Sequence, residues 1–174
     1  IRAVKQEVSI PVIANGDIAT PEQAARVLAY TGADAIMVGR AAQGRPWIFR
    51  EIDYYLRYGA HLPPPTVPEA RAAIAEHLDD HYHFYGETDG VRIARKHLGW
   101  YTKDLCGGDA FRREVNAVES VAAQLAAVHR FFDNLAEAGE RLDYRALAAD
   151  VVDATSAFGR SRQESLRGRE ALAA

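Results

Sequence analysis

The chain of 174 residues has a single cysteine and no long hydrophobic run. One cysteine cannot form an internal disulfide, so a disulfide framework is excluded and a cytoplasmic location is expected. No apolar run approaches the roughly 20 residues that a membrane-spanning helix needs, and no secretory signal precedes the first predicted strand, so no membrane association is expected. The net charge of −3 gives no overall indication of nucleic-acid binding, and any basic site must therefore be local.

The first part of the sequence contains two short apolar runs, at residues 12–14 and 35–38. Each run is followed by a polar turn that contains glycine. Both runs are continuous rather than alternating, which is typical of strands buried on two faces in a parallel sheet. Helix start and stop signals lie between them, at Thr20, Pro21, Gln23 and Gly32. The sequence therefore predicts a βαβ unit whose two loops share the end of the sheet where α/β proteins bind ligands.

The loops after the two predicted strands have the features of a phosphate site. Gly16 and Gly39 let backbone N–H groups approach an anion closely. Arg40 adds a guanidinium group that can pair with phosphate through two hydrogen bonds. In barrel enzymes of this class, the last two βα loops commonly hold the phosphate of a substrate or a flavin. The alternative is that both glycines serve only the turns and that Arg40 is a surface charge.

No strand pattern follows the first 60 residues. The prolines at 63–65 and 68 predict a stiff linker over residues 61–68. Residues 69–138 predict a small bundle of helices joined by short loops, with a break at Gly86 and helix caps at Asp109 and Asn116. Residues 139–174 predict a C-terminal extension, with a weak helix to about residue 154 and then a polar, arginine-rich, disordered tail.

One helix of this bundle carries a basic stripe. Advancing 100° per residue from Val91 places Arg92, Lys96, Gly99 and Lys103 on one side. Such a stripe lets a phosphate backbone come close, and neighbouring aromatic rings can stack on bases. The residues that could flank or extend the stripe are His97, Trp100, Arg112, Arg113 and Asn116. The alternative is an ordinary solvated helix face.

Two other groups of residues are interpreted as non-functional. His77 and His81 lie one helical turn apart, a spacing that suits zinc, with His83 nearby. However, the HExxH protease pattern is absent and no third ligand is evident, so no metal is predicted. Cys106 lies far in sequence from the predicted phosphate loops, and no catalytic role is assigned to it.

The segments IPVIANGDI (10–18) and TGADAIMVGRAAQGRPWIFREI (31–52) resemble the end of the flavin barrel of bacterial tRNA-dihydrouridine synthases, particularly their B subfamily. RIARKHLGWY (92–101) and FRREVNAVES (111–120) continue the resemblance to about Leu135. Asn15-Gly16-Asp17 and the RKH-x-x-WY block are its most specific parts. The implied fold class is α/β followed by all-α: the last βα units of an incomplete TIM (β/α)8 barrel at residues 1–60, followed by a helical tRNA-binding domain at 69–138.

The resemblance implies an enzyme that reduces uridine in tRNA to 5,6-dihydrouridine. NADPH would reduce FMN, the flavin would deliver hydride to the uracil double bond, and a cysteine would protonate the other carbon. The residues expected to bind the FMN phosphate and the nearby ribityl chain are Asn15, Gly16, Asp17, Gly39 and Arg40. Those expected to bind tRNA are Arg92, Arg95, Lys96, His97, Trp100, Lys103, Arg112 and Arg113.

The proton-donating cysteine of such enzymes belongs to the part of the barrel that precedes the segments matched here. No catalytic residue is therefore expected in this chain, which is expected to be a monomer and to be inactive alone. A complete barrel needs about 250 residues, and six strands are expected to be missing. Two other functions remain open: an FMN-dependent barrel oxidoreductase that acts on a small molecule, and a non-catalytic RNA-binding module without flavin.

Overall fold

The computed structural model describes residues 1–144, which are mostly helical and include one small sheet. The predicted disordered tail and most of the predicted weak helix lie outside the described residues, and residues 140–144, where that helix was expected to begin, are not helical. None of the described helices is both long and apolar enough to cross a membrane. The elements in chain order are α1 Arg2–Glu7, β1 Ile13–Asn15, α2 Pro21–Thr31, β2 Ala35–Met37, a short 3₁₀ helix Arg40–Ala42, α3 Ile48–Tyr58, α4 Val67–Thr102, α5 Gly108–Ala117 and α6 Val121–Ala138.

The predicted βαβ unit is confirmed. β1 and β2 pair in parallel, with Asn15 opposite Met37 at the end of both strands. At the start of α2, the Thr20 hydroxyl accepts a hydrogen bond from the Gln23 N–H. At its end, Gly32 adopts the left-handed conformation and donates its N–H to the Leu28 carbonyl. Local capping signals thus fix the length of the crossover helix, and the loops after both strands lie at one end of the sheet.

The prediction that both strands are buried on two faces is wrong for this chain. Ala14 is fully buried, whereas Ile13 and Met37 are 55% and 52% exposed. Ile18, Ala24, Ile48 and Ile52 form a small core in this part of the chain. Within residues 1–144, only one face of the sheet is covered, because successive side chains of a strand point to opposite faces and no described element lies over the second one.

Residues 67–102 form a helical hairpin. Gly86 has φ 75° and ψ 171°, a conformation that ends one helical arm (67–85) and lets the second (87–102) run back beside it. The rings of His81 and His97 are therefore 4.6 Å apart, although on a straight helix these residues would be separated by about 24 Å. The predicted break at Gly86 is confirmed. The first arm begins at Val67, inside the predicted linker, because the Thr66 and Glu69 side chains form a capping box.

α5 and α6 pack against this hairpin around a shared apolar core. Leu98, Val115 and Phe132 are among its fully buried side chains. The predicted caps at Asp109 and Asn116 are wrong. α5 begins after Gly107, and α6 begins after Ser120, whose hydroxyl accepts the Ala123 N–H. Asn116 remains inside α5 because that helix continues until the backbone becomes extended at residue 118.

The loop after β2 lies directly on the second arm of the hairpin. A Cβ on Gly44 would overlap the carbonyl group of Trp100 and lie 2.7 Å from the Tyr101 amide nitrogen. Beside it, the Trp47 ring packs between Tyr101 and Tyr144, at centroid distances of 6.2 and 6.5 Å. Trp47 thus belongs to the core of the helical part, although it precedes the predicted linker. The division into two domains at residues 61–68 stays a prediction.

We expect Gly44→Ala to destabilise the chain more than a matched glycine substitution. Gly59 has a similar φ of 65°, against 75° at Gly44, but a Cβ there would meet nothing within 4 Å. Gly59→Ala should therefore cost only the strain of a left-handed alanine, about 1 to 2 kcal/mol. Gly44→Ala should cost about 1 to 3 kcal/mol more, because the loop must move off α4. Urea unfolding measures both values, and equal losses would show that the close contact is not maintained in solution.

Candidate functional site

The two predicted phosphate loops lie side by side. Pairing of Asn15 with Met37 places Gly16 and Asp17 next to the segment that begins at Gly39. A Cβ on Gly16 or Gly39 would meet nothing within 4 Å, so the space beside both backbones is open. Asp17 has a left-handed φ of 44°, which turns the first loop sharply. The loop geometry therefore leaves room for a group such as a phosphate close to the main chain.

Arg40 reaches across from the second loop and forms an ion pair with Asp17. Both side chains are 82% exposed, and an exposed pair of this kind contributes at most about 1 kcal/mol. A phosphate dianion can therefore compete with Asp17 for the guanidinium group at little cost. Arg40 is positioned to bind an anion at the open end of the sheet.

The predicted basic stripe borders a groove of about 410 Å³ between the second arm of α4 and α5. The opposite side of the arm is buried, as predicted, at Val91, Ala94, Leu98 and Tyr101. The Lys96 ammonium lies 5.1 Å from the centroid of the Trp100 ring, within cation–π distance. The residues that line the groove are Arg92, Arg95, Lys96, Gly99, Trp100, Lys103, Arg112 and Asn116. The arrangement combines positive charge, a glycine gap and an aromatic ring, which are the features that bind a phosphate backbone and a base.

Two of the residues predicted to bind RNA do not line the groove, and a third also has a structural role. Arg113 is exposed but is not part of the groove lining described above, and His97 lines a different cavity. Arg95 lines the groove and is half-buried, and its Nη2 donates a 2.7 Å hydrogen bond to the Val118 carbonyl beyond the end of α5. Arg95 therefore holds the end of α5 against the hairpin in addition to adding charge.

His97 lies with His77 and His81, so the structure supplies a third imidazole that was not evident in the sequence. Their ring centroids are 4.6 to 5.0 Å apart. Burial, with the charges of His81, His77 and Lys96, lowers the pKa of His97 to about 4, so its imidazole is neutral at pH 7. Burial and His81 also lower the pKa of His77. The predicted break at Gly86 was the available signal, since a reversal there lays the second arm, which carries His97, beside the first arm, which carries His77 and His81.

Both the glycine loops and the basic groove lie in a part of the chain that is similar to known proteins. The model of the dihydrouridine synthase family matches residues 1–136. This chain belongs to the dihydrouridine synthase family. The matched range contains both the open glycine loops and the basic groove, so the two sites lie within the family's shared sequence.

Three curated relatives show how close the similarity is. The chain is 57% identical to the tRNA-dihydrouridine synthase B of Pseudomonas aeruginosa over 132 residues, or 76% of this chain. It is 54% identical to that of Salmonella typhimurium and 55% identical to that of Escherichia coli K12, each over 136 residues and 78% of this chain. The chain spans only 40 to 42% of the length of these relatives.

We expect substitutions of Arg95 and Arg92 to differ in their effect on the stability of the chain. Arg95→Met keeps most of the aliphatic stem but removes the donor to the Val118 carbonyl, and should lower the free energy of unfolding by about 1 to 3 kcal/mol. Arg92→Met removes an exposed charge and should change it by less than about 0.5 kcal/mol. Urea unfolding of both variants is the measurement. A loss at Arg92 as large as at Arg95 would contradict the assignment.

Proposed function

We propose that this chain provides the FMN-phosphate loops and a tRNA-binding surface of an enzyme that uses FMN and NADPH to reduce uridine in tRNA to 5,6-dihydrouridine. The observation that carries the proposal is the basic groove, in which side chains from α4 and α5 converge although the chain is acidic overall. A local positive groove in a chain of net charge −3 is the pattern expected of a nucleic-acid site rather than of general surface charge.

FMN fits the open end of the sheet. The Gly16 and Gly39 backbones have free space beside them, which a phosphate could occupy, and the Arg40 guanidinium can turn from Asp17 to the phosphate. Asn15, at the end of β1, offers an amide that can hydrogen-bond the neighbouring ribityl hydroxyls. Bound FMN would supply hydride transfer, and NADPH would be the source of that hydride. The role of the residues in this chain is to bind and orient the cofactor.

The exposed strand face supports a barrel as the setting of this cofactor site. Ile13 and Met37 are apolar side chains on the uncovered face of two parallel strands. In a (β/α)8 barrel, such inward-pointing side chains pack against those of the other strands, and the cofactor lies at the carboxyl ends of the strands. β1 and β2 are therefore assigned as two neighbouring strands of a barrel, with Gly16 and Gly39 at its cofactor end.

The groove suits single-stranded or distorted RNA. Arg92, Lys96 and Lys103 follow the exposed side of α4 and can contact successive phosphates. Trp100, with the Lys96 ammonium near its ring, can stack against an unpaired base. The target uridine must leave its stack before chemistry can reach the ring, and a surface that holds the neighbouring nucleotides lowers the cost of that step.

We expect removal of the groove charges to weaken tRNA binding and reduce its salt dependence. The triple variant Arg92→Gln, Lys96→Gln, Lys103→Gln removes three cations from the groove. Each phosphate contact contributes about 0.7 to 0.9 to the slope of log K against log salt concentration, so the slope should fall by about 2 to 3. Fluorescence anisotropy with an unmodified tRNA transcript, at several salt concentrations, gives the slope.

The matched control for this variant removes three exposed arginines from other elements, at Arg26, Arg57 and Arg130. It has the same net charge as the groove variant but should retain the slope of the unsubstituted chain. If both variants lose the same affinity and slope, binding depends on net charge alone and the assignment of the groove is wrong.

We expect Arg40→Gln to weaken binding of FMN but not of riboflavin, which lacks the phosphate. Loss of one charged hydrogen-bonding partner of a phosphate corresponds to about 10- to 100-fold in affinity. The measurement is flavin-fluorescence titration of the complete product of the gene that encodes this chain. Arg57→Gln, an exposed arginine on α3, should change neither affinity. An equal loss of riboflavin affinity would show that Arg40 contacts a part of the flavin other than the phosphate.

The activity itself is tested with the same gene product, NADPH and unmodified tRNA, followed by mapping of dihydrouridine by mass spectrometry. Dihydrouridine at defined positions is the expected result. Absence of product from a protein that binds flavin and is reduced by NADPH would favour a reductase of small molecules. Absence of both flavin binding and product, with tRNA binding retained, would favour an RNA-binding module.

A further inference from the structure

Three histidines that the proposed reaction does not use meet between the two arms of the helical hairpin. His77 and His81 lie on the first arm and His97 on the second. One ring nitrogen from each residue lies within 4.8 Å of the others. The group lines, in part, a cavity of about 670 Å³ between the hairpin and the loop after β2, away from Arg92, Lys103 and Arg112 in the basic groove.

Hydrogen bonds orient two of the three imidazoles. His81 Nδ1 lies 3.0 Å from the His77 carbonyl oxygen, which can only accept, so Nδ1 carries the hydrogen and Nε2 keeps its lone pair. His77 Nδ1 lies 3.1 Å from the Tyr101 hydroxyl, which can accept from it in the same way. Orientation of ligating imidazoles through their other nitrogen is the usual arrangement around metal ions in proteins.

We propose that His77, His81 and His97 bind one divalent transition-metal ion of the zinc type. Imidazole nitrogen suits Zn²⁺, Co²⁺, Ni²⁺ and Cu²⁺, whereas Mg²⁺ and Ca²⁺ require oxygen ligands. A tetrahedral ion with bonds of about 2.1 Å holds its ligand nitrogens about 3.4 Å apart. The three nitrogens, which lie within 4.8 Å of one another, reach that separation by closing in by up to about 1.4 Å through side-chain rotations.

The cavity gives this ion a fourth coordination position and a favourable electrostatic setting. Three protein ligands and one open position is the arrangement of catalytic rather than purely structural zinc sites. Glu76 and Asp80 also line the cavity, and their carboxylates favour the approach of a cation. Because the ligands come from both arms, a bound ion would join the hairpin across the Gly86 reversal and stabilise it.

The competing explanation is that the rings only pack against one another. The His77–His97 and His81–His97 pairs have interplanar angles of 75° and 68°, close to the edge-to-face arrangement of aromatic pairs. Packing alone needs no metal, and substitution of one ring would then have no effect on metal affinity.

The test is titration of the untagged, chelator-treated product of the complete gene that encodes this chain with Co²⁺, followed by competition with Zn²⁺. We expect one equivalent of Co²⁺ to bind with visible absorption bands of tetrahedral coordination, and Zn²⁺ to displace it. His97→Asn should weaken binding by more than about 10-fold. His83→Asn is the matched control, since this exposed histidine lies on the same arm, with Nδ1 3.2 Å from the Asp79 carbonyl, and should leave the affinity unchanged.

Thermal unfolding in chelator shows whether the variants fold without metal. His81→Asn replaces His97→Asn if the latter does not fold, and X-ray absorption of the Zn²⁺-loaded unsubstituted chain independently counts the imidazole ligands. Three imidazoles support the proposal. No saturable binding of Co²⁺ or Zn²⁺ at millimolar concentration, or equal affinities of the His83→Asn and ligand variants, would overturn it in favour of ring packing.

Discussion

The contact between the loop after β2 and the backbone of α4 sets the geometry of the described chain. Gly44 can lie against Trp100 and Tyr101 only because it has no Cβ. Trp47 adds an aromatic anchor three residues later, inside the helical core. The end of the sheet is thereby held at a fixed distance from the second arm of the hairpin. The cavity between this loop and the hairpin depends on this separation, whereas the grouping of the three histidines depends on the reversal at Gly86.

Some charged side chains near the proposed sites hydrogen-bond to the protein backbone, and others line the groove. Arg95 uses a guanidinium hydrogen bond to hold the backbone beyond α5. Arg92 and Lys103 lie on the exposed side of the same arm and line the groove. Arg92 and Lys103 lie three and eight positions from Arg95 and carry the same charge. Their roles differ because Arg95 faces the end of a neighbouring helix, whereas the other two face solvent. Charge alone would not distinguish these roles.

Local signals in the sequence predicted much of this structure. The α2 capping residues, the Gly86 break and the basic side of α4 depend on spacing within one helix or turn, and the structure has all three. Several features that depend on distant residues were not predicted. The third histidine became visible only when the hairpin brought the two arms together. The Asn116 cap failed because Ser120 offers a hydroxyl at the true helix start, and burial of the strands depends on partners that lie outside β1 and β2.

The open edges of the small sheet are consistent with the proposed barrel. Each of its two strands has one paired neighbour within residues 1–144, which leaves an edge with unpaired backbone groups on either side. Such edges promote intermolecular pairing, particularly beside exposed apolar side chains. Pro11 lacks an N–H just before β1, and the Val12 N–H donates to the Asp34 carboxylate at 2.7 Å, so the start of that strand is protected. The remaining edge positions are not protected in this way, as expected of strands that pair on both sides in the proposed barrel.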